Sequence, residues 1–338
     1  MTLLHFVAGD AIFRIEDNTD ENTIVERKTP HPFLSLAVDP FHPDRMYAGT
    51  FNNGLWISDD SGKTWNKAGG GITSDRIPSV AVSKTESFNG YGVVWVGTEP
   101  SMLFRSEDGG KTWTDFPKLG ELPSHDTWSF PPRPHTHHVR YIQPDIHAEN
   151  RIFVGIELGG VMKSEDKGHH WEDRKENSQF DCHTMTMHPD VAGRVYEAAG
   201  GGYAETKDGG ATWETINTGL DPYTYLVNIA VDRGNPEIMI AAAAKGAHSA
   251  YRSSTAHTVI VRREANKPWE VINTGLPSPD GSSVFSLVSH PEKAGVFYAV
   301  NNIGCYRSDD SGKTWSELSL PWPESVKDKR IHAMTVQA

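Results

Sequence analysis

Cysteine is almost absent from this sequence. Cys182 and Cys305 are the only two in 338 residues, too few for a disulfide framework, and a reduced, cytoplasmic address is the expectation. No window approaches the roughly 18 uninterrupted apolar residues of a membrane-spanning helix. The opening stretch, Met1 to Asp20, has neither the charged nor the apolar region of a secretory leader. Basic charge is also scarce: 32 Lys and Arg stand against 44 Asp and Glu, a net charge of −12. A sequence-independent grip on nucleic acid or on an anionic membrane needs a basic face, so neither partner is expected. What the chain has instead is 31 Gly and ten Trp, which suit short strands joined by tight turns.

An internal repeat settles the architecture. The octet Ser58-Asp-Asp60-Ser-Gly62-Lys-Thr64-Trp65 returns at Ser106 to Trp113, Ser164 to Trp171, Thr206 to Trp213 and Ser308 to Trp315. The pattern is S/T-x-D-x-G-x-T-W, with His170 in place of the Thr in the third copy. The gap between Asp208 and Asp310 is about twice the others, so a degenerate copy belongs inside it, closing at Trp269. Strand-like runs precede each octet, as in Phe33 to Val38, Met46 to Gly49 and Gly54 to Ile57. Each unit reads as strand A, strand B, strand C, octet, strand D, the signature of a propeller blade.

These octets resemble Asp boxes, the BNR repeats of sialidases, sortilin-type receptors and photosystem-assembly propellers. The fold expected is all-β: a seven-bladed propeller of four-stranded antiparallel blades in a single domain spanning 1–338. Six blades fall at 31–66, 76–114, 138–172, 183–215, 226–272 and 284–318. The seventh is closed by pairing strands within 1–28 with the last strand, 331–338, which protects edges that would otherwise template aggregation. The octet itself reads as structural. Its Asp satisfies backbone donors of the turn, and one carboxylate per loop is a poor site for a Ca²⁺ ion wanting six to eight oxygens.

The octets and the A-to-B turns belong to one face. The D-to-A and B-to-C connections belong to the other, around the channel mouth, and both long insertions lie there: Thr114 to about His137, and the B-to-C loop of blade five. When the inner strands are aligned on Pro40, Pro144, Pro189, Arg233 and Pro291, the position six residues upstream holds His138, His183 and His332 in blades three, four and seven. Four residues past the anchors of strand B lie Glu99, Glu157 and Asp10, with Asn302 in blade six. Histidines and carboxylates are thus brought to one mouth.

The sharp reading is a metal centre with His138, His183 and His332 as ligands and Glu157 as fourth ligand or general base. Imidazoles with a carboxylate suit Zn²⁺, Mn²⁺ or Fe²⁺, and a metal-bound water is a nucleophile near neutral pH. The plainer reading is a hydrated polar channel. Arg140 and Arg133 are anion contacts, and Trp128, His135, His137, Tyr225, Asn302 and Asp10 are candidate substrate contacts. The proline-stiffened segment Ser124 to His138 reads as a lid or as an inter-blade plug. Cys182 beside His183 could be a nucleophile, although small buried cysteines are more often packing residues. His169 and His170 read as surface residues, and His42, His188 and His290 as turn residues.

Sialidase activity is not expected. Sialidases use six blades, three arginines and a Phe-Arg-Ile-Pro sequence, whereas this chain has Phe13-Arg14-Ile15-Glu16 and no evident arginine triad. Over its whole length the chain more closely resembles bacterial propeller proteins described as BNR-repeat or YVTN-like glycosyl-hydrolase-type proteins. Trp128 to Pro134, His137 to Arg140, Gly155 to Gly160 and Asp181 to His183 carry that likeness. The function expected is metal-assisted hydrolysis or lyase chemistry on a small polar or anionic molecule. Two alternatives stand beside it: metal-free glycosidase or lyase chemistry through Glu99 and Glu157, and a non-catalytic scaffold with a broad apolar patch.

Overall fold

The computed structural model describes residues 1–18 and 21–338. It is all-β, with seven antiparallel sheets arranged around a central channel. Blade one is Phe33–Asp39, His42–Thr50, Leu55–Ser58 and Asn66–Ala68. Blades two, four, five and six repeat that order, beginning at Ser79–Phe88, Cys182–Met187, Tyr225–Asp232 and Ser286–Ser289. In blade three, Val139–Pro144, Ile152–Ile156 and Gly160–Ser164 form the sheet, and the fourth strand is reduced to one bridge between Lys163 and Glu172. Blade seven joins the two ends of the chain: Ile331–Gln337 pairs with Thr2–Ala8, which pairs with Ala11–Asp17 and then Thr23–Lys28. The closure expected from the sequence is the one observed.

Burial explains why the strands differ in composition. A central strand is covered on both sides by neighbouring blades, so Ile152–Ile156 and Val195–Ala199 are buried throughout. The outermost strands are short and exposed, as in Glu214–Thr215. Seven buried apolar clusters fill the seven inter-blade spaces among the described residues. Each octet Trp enters the space shared with the preceding blade: Trp113 joins Tyr47 and Phe104, and Trp213 joins Phe153 and Met185. Trp269, the expected remnant of a degenerate copy, does the same against Tyr203, with ring centroids 5.2 Å apart.

The octets are turns built around their Asp. Asp60 Oδ1 accepts from the Thr64 amide at 2.8 Å, Asp60 Oδ2 from the Thr64 hydroxyl at 2.7 Å, and Ser58 Oγ from the Gly62 amide at 2.9 Å. Gly62 needs φ of +77°, the left-handed region that favours glycine. In the third copy His170 Nδ1 takes the place of the Thr hydroxyl on Asp166, at 2.5 Å.

One backbone irregularity positions the site. Strand A carries a one-residue bulge near its start in blades one, three, four and five, and in blade seven against Thr2–Ala8. The residues left without a partner are Leu34, Arg140, His183, Val227 and His332. A bulge re-aims the side chain of its extra residue, and all five line the channel, a cavity of about 760 Å³.

Candidate active site at the octet-free mouth

In blade three the channel residue is Arg140, not His138. The proline alignment fails there because Pro144 is still within strand A, paired with Ile152. The true turn marker is a side-chain acceptor one place before the usual proline. Asp39, Asp145 and Asp232 accept the amides of Phe41, His147 and Gly234 at 2.9, 2.8 and 2.8 Å. The Nδ1 atoms of His188 and His290 take the same position, each accepting an amide at 3.1 Å. Counting back from Asp145 instead of Pro144 lands on Arg140. His138 therefore points away from the channel axis. Its ring meets Phe130 edge-on with centroids 4.7 Å apart, and its Nε2–H donates to Glu157 Oε2 at 3.0 Å.

Glu157 follows directly on strand B of blade three and is the carboxylate that His138 and Arg140 share. Arg140 Nε lies 3.5 Å from the same Oε2. Burial alone would push this carboxyl up, but the His138 hydrogen bond and the charges of Arg140 and His183 outweigh it and hold the group at about 2. Glu157 is thus ionised throughout the neutral range.

The next blade supplies its neighbours. Glu157, Asp181 and His183 each place one oxygen or ring nitrogen within 4.8 Å of the other two, the one such group among the described residues. His183 is 2% exposed. Its Nδ1–H donates to the Leu226 carbonyl at 2.7 Å, so in the neutral ring Nε2 carries the lone pair. That Nε2 is buried with no hydrogen-bond partner, 3.5 Å from Asp181 Oδ2. Beneath them, Glu197 is fully buried beside Cys182, accepting the Gln179 amide at 3.1 Å. Burial lifts its carboxyl to about 8 and pushes the Cys182 thiol well up. The packing reading of Cys182 is the one this environment fits.

The ligand set His138, His183 and His332 is not assembled. His138 lies on the far side of Glu157, and the charged neighbours of His332 are Arg330 and Arg140. Burial, followed by those two charges, brings His332 down to about 3. Glu99, expected as a catalytic carboxylate, is 4% exposed and already held by arginine. Arg133 donates to it twice, at 2.7 and 2.6 Å, and Arg76 once at 3.0 Å. Arg133 is for that reason no free anion contact.

The other expected contacts divide. Tyr225 is at the mouth, its ring edge-on to His183 at 4.8 Å and its hydroxyl 3.1 Å from that of Tyr251. Trp128 is buried between blades two and three, and its indole N–H donates to Ser124 Oγ at 2.9 Å. The first half of the 124–138 segment is thus a plug. His137 packs against Trp128 and His125, with centroids 5.4 and 4.9 Å away, and His135 is exposed. Asn302 ties Ser283 to Gly281 and Lys327 through its amide. Asp10 is an exposed turn residue 3.1 Å from Lys28. Two residues at the mouth, Arg330 and Tyr251, have no signal in the sequence reading, and Asp181 figures there only as a further polar group at a strand start, with no role assigned. Asp181 stands next to a residue that was found. Tyr251 comes from the long B-to-C loop of blade five, which was singled out without its contacts.

No family model matches the chain. A stretch of 155 residues, 41% of the chain, is 28% identical to the oligoxyloglucan-reducing end-specific xyloglucanase of Emericella nidulans and covers 17% of it. A stretch of 116 residues, 27% of the chain, is 32% identical to the xyloglucanase of a Paenibacillus species and covers 11% of it. The chain has xyloglucanase homologues. It spans less than a fifth of the length of these curated relatives. Among solved structures, an ancestral GH74 enzyme superposes with a TM-score of 0.65 at 16% identity, over 84% of this chain and 38% of that one. YCF48 bound to D1 peptide superposes with a TM-score of 0.58 at 16% identity, over 87% and 82%. These structural likenesses establish the propeller fold.

Proposed function

We propose that the protein is a glycoside hydrolase acting on a polar carbohydrate at the octet-free mouth, with Glu157 and Asp181 as the reacting carboxylates. The observation that carries this is their convergence on His183, one of the bulged residues that line the channel. The xyloglucanase relatives support the reaction class. Glycoside hydrolysis uses two carboxyl groups flanking one bond, and Glu157 and Asp181 bring one oxygen each within 4.8 Å of the other. Glu157, held ionised, is assigned attack at the anomeric carbon. Asp181, which has no arginine partner among the described residues, is assigned proton delivery to the leaving oxygen. Water then displaces Glu157 and returns the proton to Asp181.

Sialidase chemistry is not favoured, because Arg133 is committed to Glu99. A scaffold role is not favoured either. Phe51 and Phe180, the exposed aromatics near the mouth, each carry a guanidinium over the ring. We also read the octets as Asp boxes, which their repeated Asp-centred hydrogen bonds support. A reducing, cytoplasmic address belongs to the same proposal and accommodates the two free thiols.

A second reading keeps the metal. The unpartnered His183 Nε2, with its tautomer fixed by Leu226, is what a ligand to Zn²⁺, Mn²⁺ or Fe²⁺ requires, and Glu157 and Asp181 would complete the set. Hydrolysis of a panel of oligosaccharides, xyloglucan fragments first, separates the two. The metal-free reading expects turnover that survives chelation and falls about 100-fold or more in Glu157→Gln and Asp181→Asn. Loss of turnover on chelation, restored by one ion, would replace it with the metal reading. No turnover on any member of the panel would end the hydrolase proposal.

A further inference from the structure

We propose that Arg330, with Arg140 and His332 beside it, receives an oxyanion, a carboxylate or phosphate carried by the ligand that enters the mouth. This deepens the reading above, since it rests on the mouth being the ligand site, though not on the reaction performed there.

Arg330 immediately precedes strand A of blade seven and lines the channel with Arg140 and His332. Its guanidinium lies 3.8 Å from the centroid of the Tyr251 ring, an arrangement that fixes the plane of the fork. Its Nε is buried without a hydrogen-bond partner, and that of Arg140, 3.5 Å from Glu157 Oε2, makes no hydrogen bond either. Among the described residues no carboxylate lies within salt-bridge distance of Arg330. Elsewhere in the molecule Arg105, Arg194 and Arg307 each meet a carboxylate at 2.5 to 2.8 Å, as Arg133 meets Glu99 at 2.6 Å.

A half-buried guanidinium whose Nε is shut off from water, with no counter-charge in reach, is costly to keep. Arg330 is kept where its fork and that of Arg140 face one cavity, and a planar fork matches the two oxygens of a carboxylate or phosphate. Burial holds the Arg330 group below the ordinary arginine range, and the charge of Arg140 adds to that. Among the described residues the only carboxylate in direct contact with this set is Glu157, at 3.5 Å from Arg140. His332 adds a neutral ring that can donate one hydrogen bond. The hydroxyls of Tyr225 and Tyr251 border the place where the rest of a sugar would lie.

A uronic acid would supply the carboxylate and a phosphorylated sugar the phosphate. Calorimetric titration of the full chain with D-glucuronate, inorganic phosphate and D-glucose tests the receptor and separates the two sources. At least one anion should bind wild type with one-to-one stoichiometry, more tightly than D-glucose, and which one binds names the group. Arg330→Met should weaken that anion at least tenfold, while Arg330→Lys, which keeps the charge, should weaken it less. Removing an uncompensated charge should also raise the Tm of Arg330→Met in the absence of ligand.

The proposal is overturned if neither anion binds wild type or if Arg330→Met binds it equally well. A lower Tm for Arg330→Met would likewise overturn it, because Arg330 would then be a prop for Tyr251. Should Arg330→Met fail to fold, the comparison of Arg330→Lys with wild type decides, and equal loss of both anions and D-glucose in the Lys variant refutes a charge-based receptor. Binding is read without turnover, so failure of the hydrolase proposal and failure of this one are distinguishable.

Discussion

Replacing Glu99 by Gln separates a structural carboxylate from a catalytic one. Glu99 occupies the same place in blade two that Glu157 occupies in blade three, yet it accepts three hydrogen bonds from two arginines and is 4% exposed. A hydrogen bond to a charged group contributes about 1.5–3 kcal/mol. Arg76 and Arg133 are 36% and 27% exposed, so solvent screens much of this, and about 2–3 kcal/mol is the reasonable total. At roughly 2 cal/mol/K of unfolding entropy per residue, that lowers Tm by about 3–4 °C in a domain of this size. The loss should be local first. Arg133 anchors the second half of the 124–138 segment, whose amides at Arg133 and Thr136 bond only to Phe130 and Arg133 carbonyls. Hydrogen exchange at those two amides should quicken at least tenfold, while turnover at the mouth stays within about threefold. Unchanged Tm and unchanged exchange, with turnover abolished, would refute the reasoning and return Glu99 to the chemistry.

Two further outcomes follow from buried groups elsewhere. His5 is 1% exposed with both ring nitrogens unpartnered, and burial, then the charges of Arg14 and Arg27, hold it at about 4. Once unfolded it takes a proton below pH of about 6.5, so stability is full above that value and falls as pH drops toward 4. His5→Leu should remove about 2–3 kcal/mol of that pH dependence in urea unfolding at pH 7.5 and 4.5; parallel losses in both proteins would contradict it. Trp269→Ala should cost about 3–5 kcal/mol despite the missing octet around it, because the ring fills the space between blades four and five and donates to the Ile216 carbonyl at 2.9 Å. A loss below about 1 kcal/mol in denaturant unfolding would show that the residue does not close a blade.

The propeller was legible because one octet repeats, and a repeat predicts its own missing copy: Trp269 and the terminal strands were both placed by period and pattern alone. His183 and Glu157 were legible because equivalent points of successive A and B strands converge on one axis, and Arg140 and Tyr225 because they stand beside such points. His138 was misread for a specific reason. Proline marks a turn only loosely, whereas the Asp or His whose side chain accepts the turn amides marks it strictly, and Asp145 stood next to the proline that was used. The neutralisation of Glu99 by Arg76 and Arg133, and the stacking of Tyr251 on Arg330, join residues 23, 34 and about 80 positions apart. Period-based alignment fixes where a side chain starts and not what it reaches.

The most direct test is the crystal structure of Glu157→Gln soaked with an oligosaccharide that the wild-type protein binds. The account predicts sugar density at the octet-free mouth, with the anomeric carbon between the residue 157 side chain and Asp181. Density on the octet face, or at the mouth but out of reach of both side chains, would contradict it.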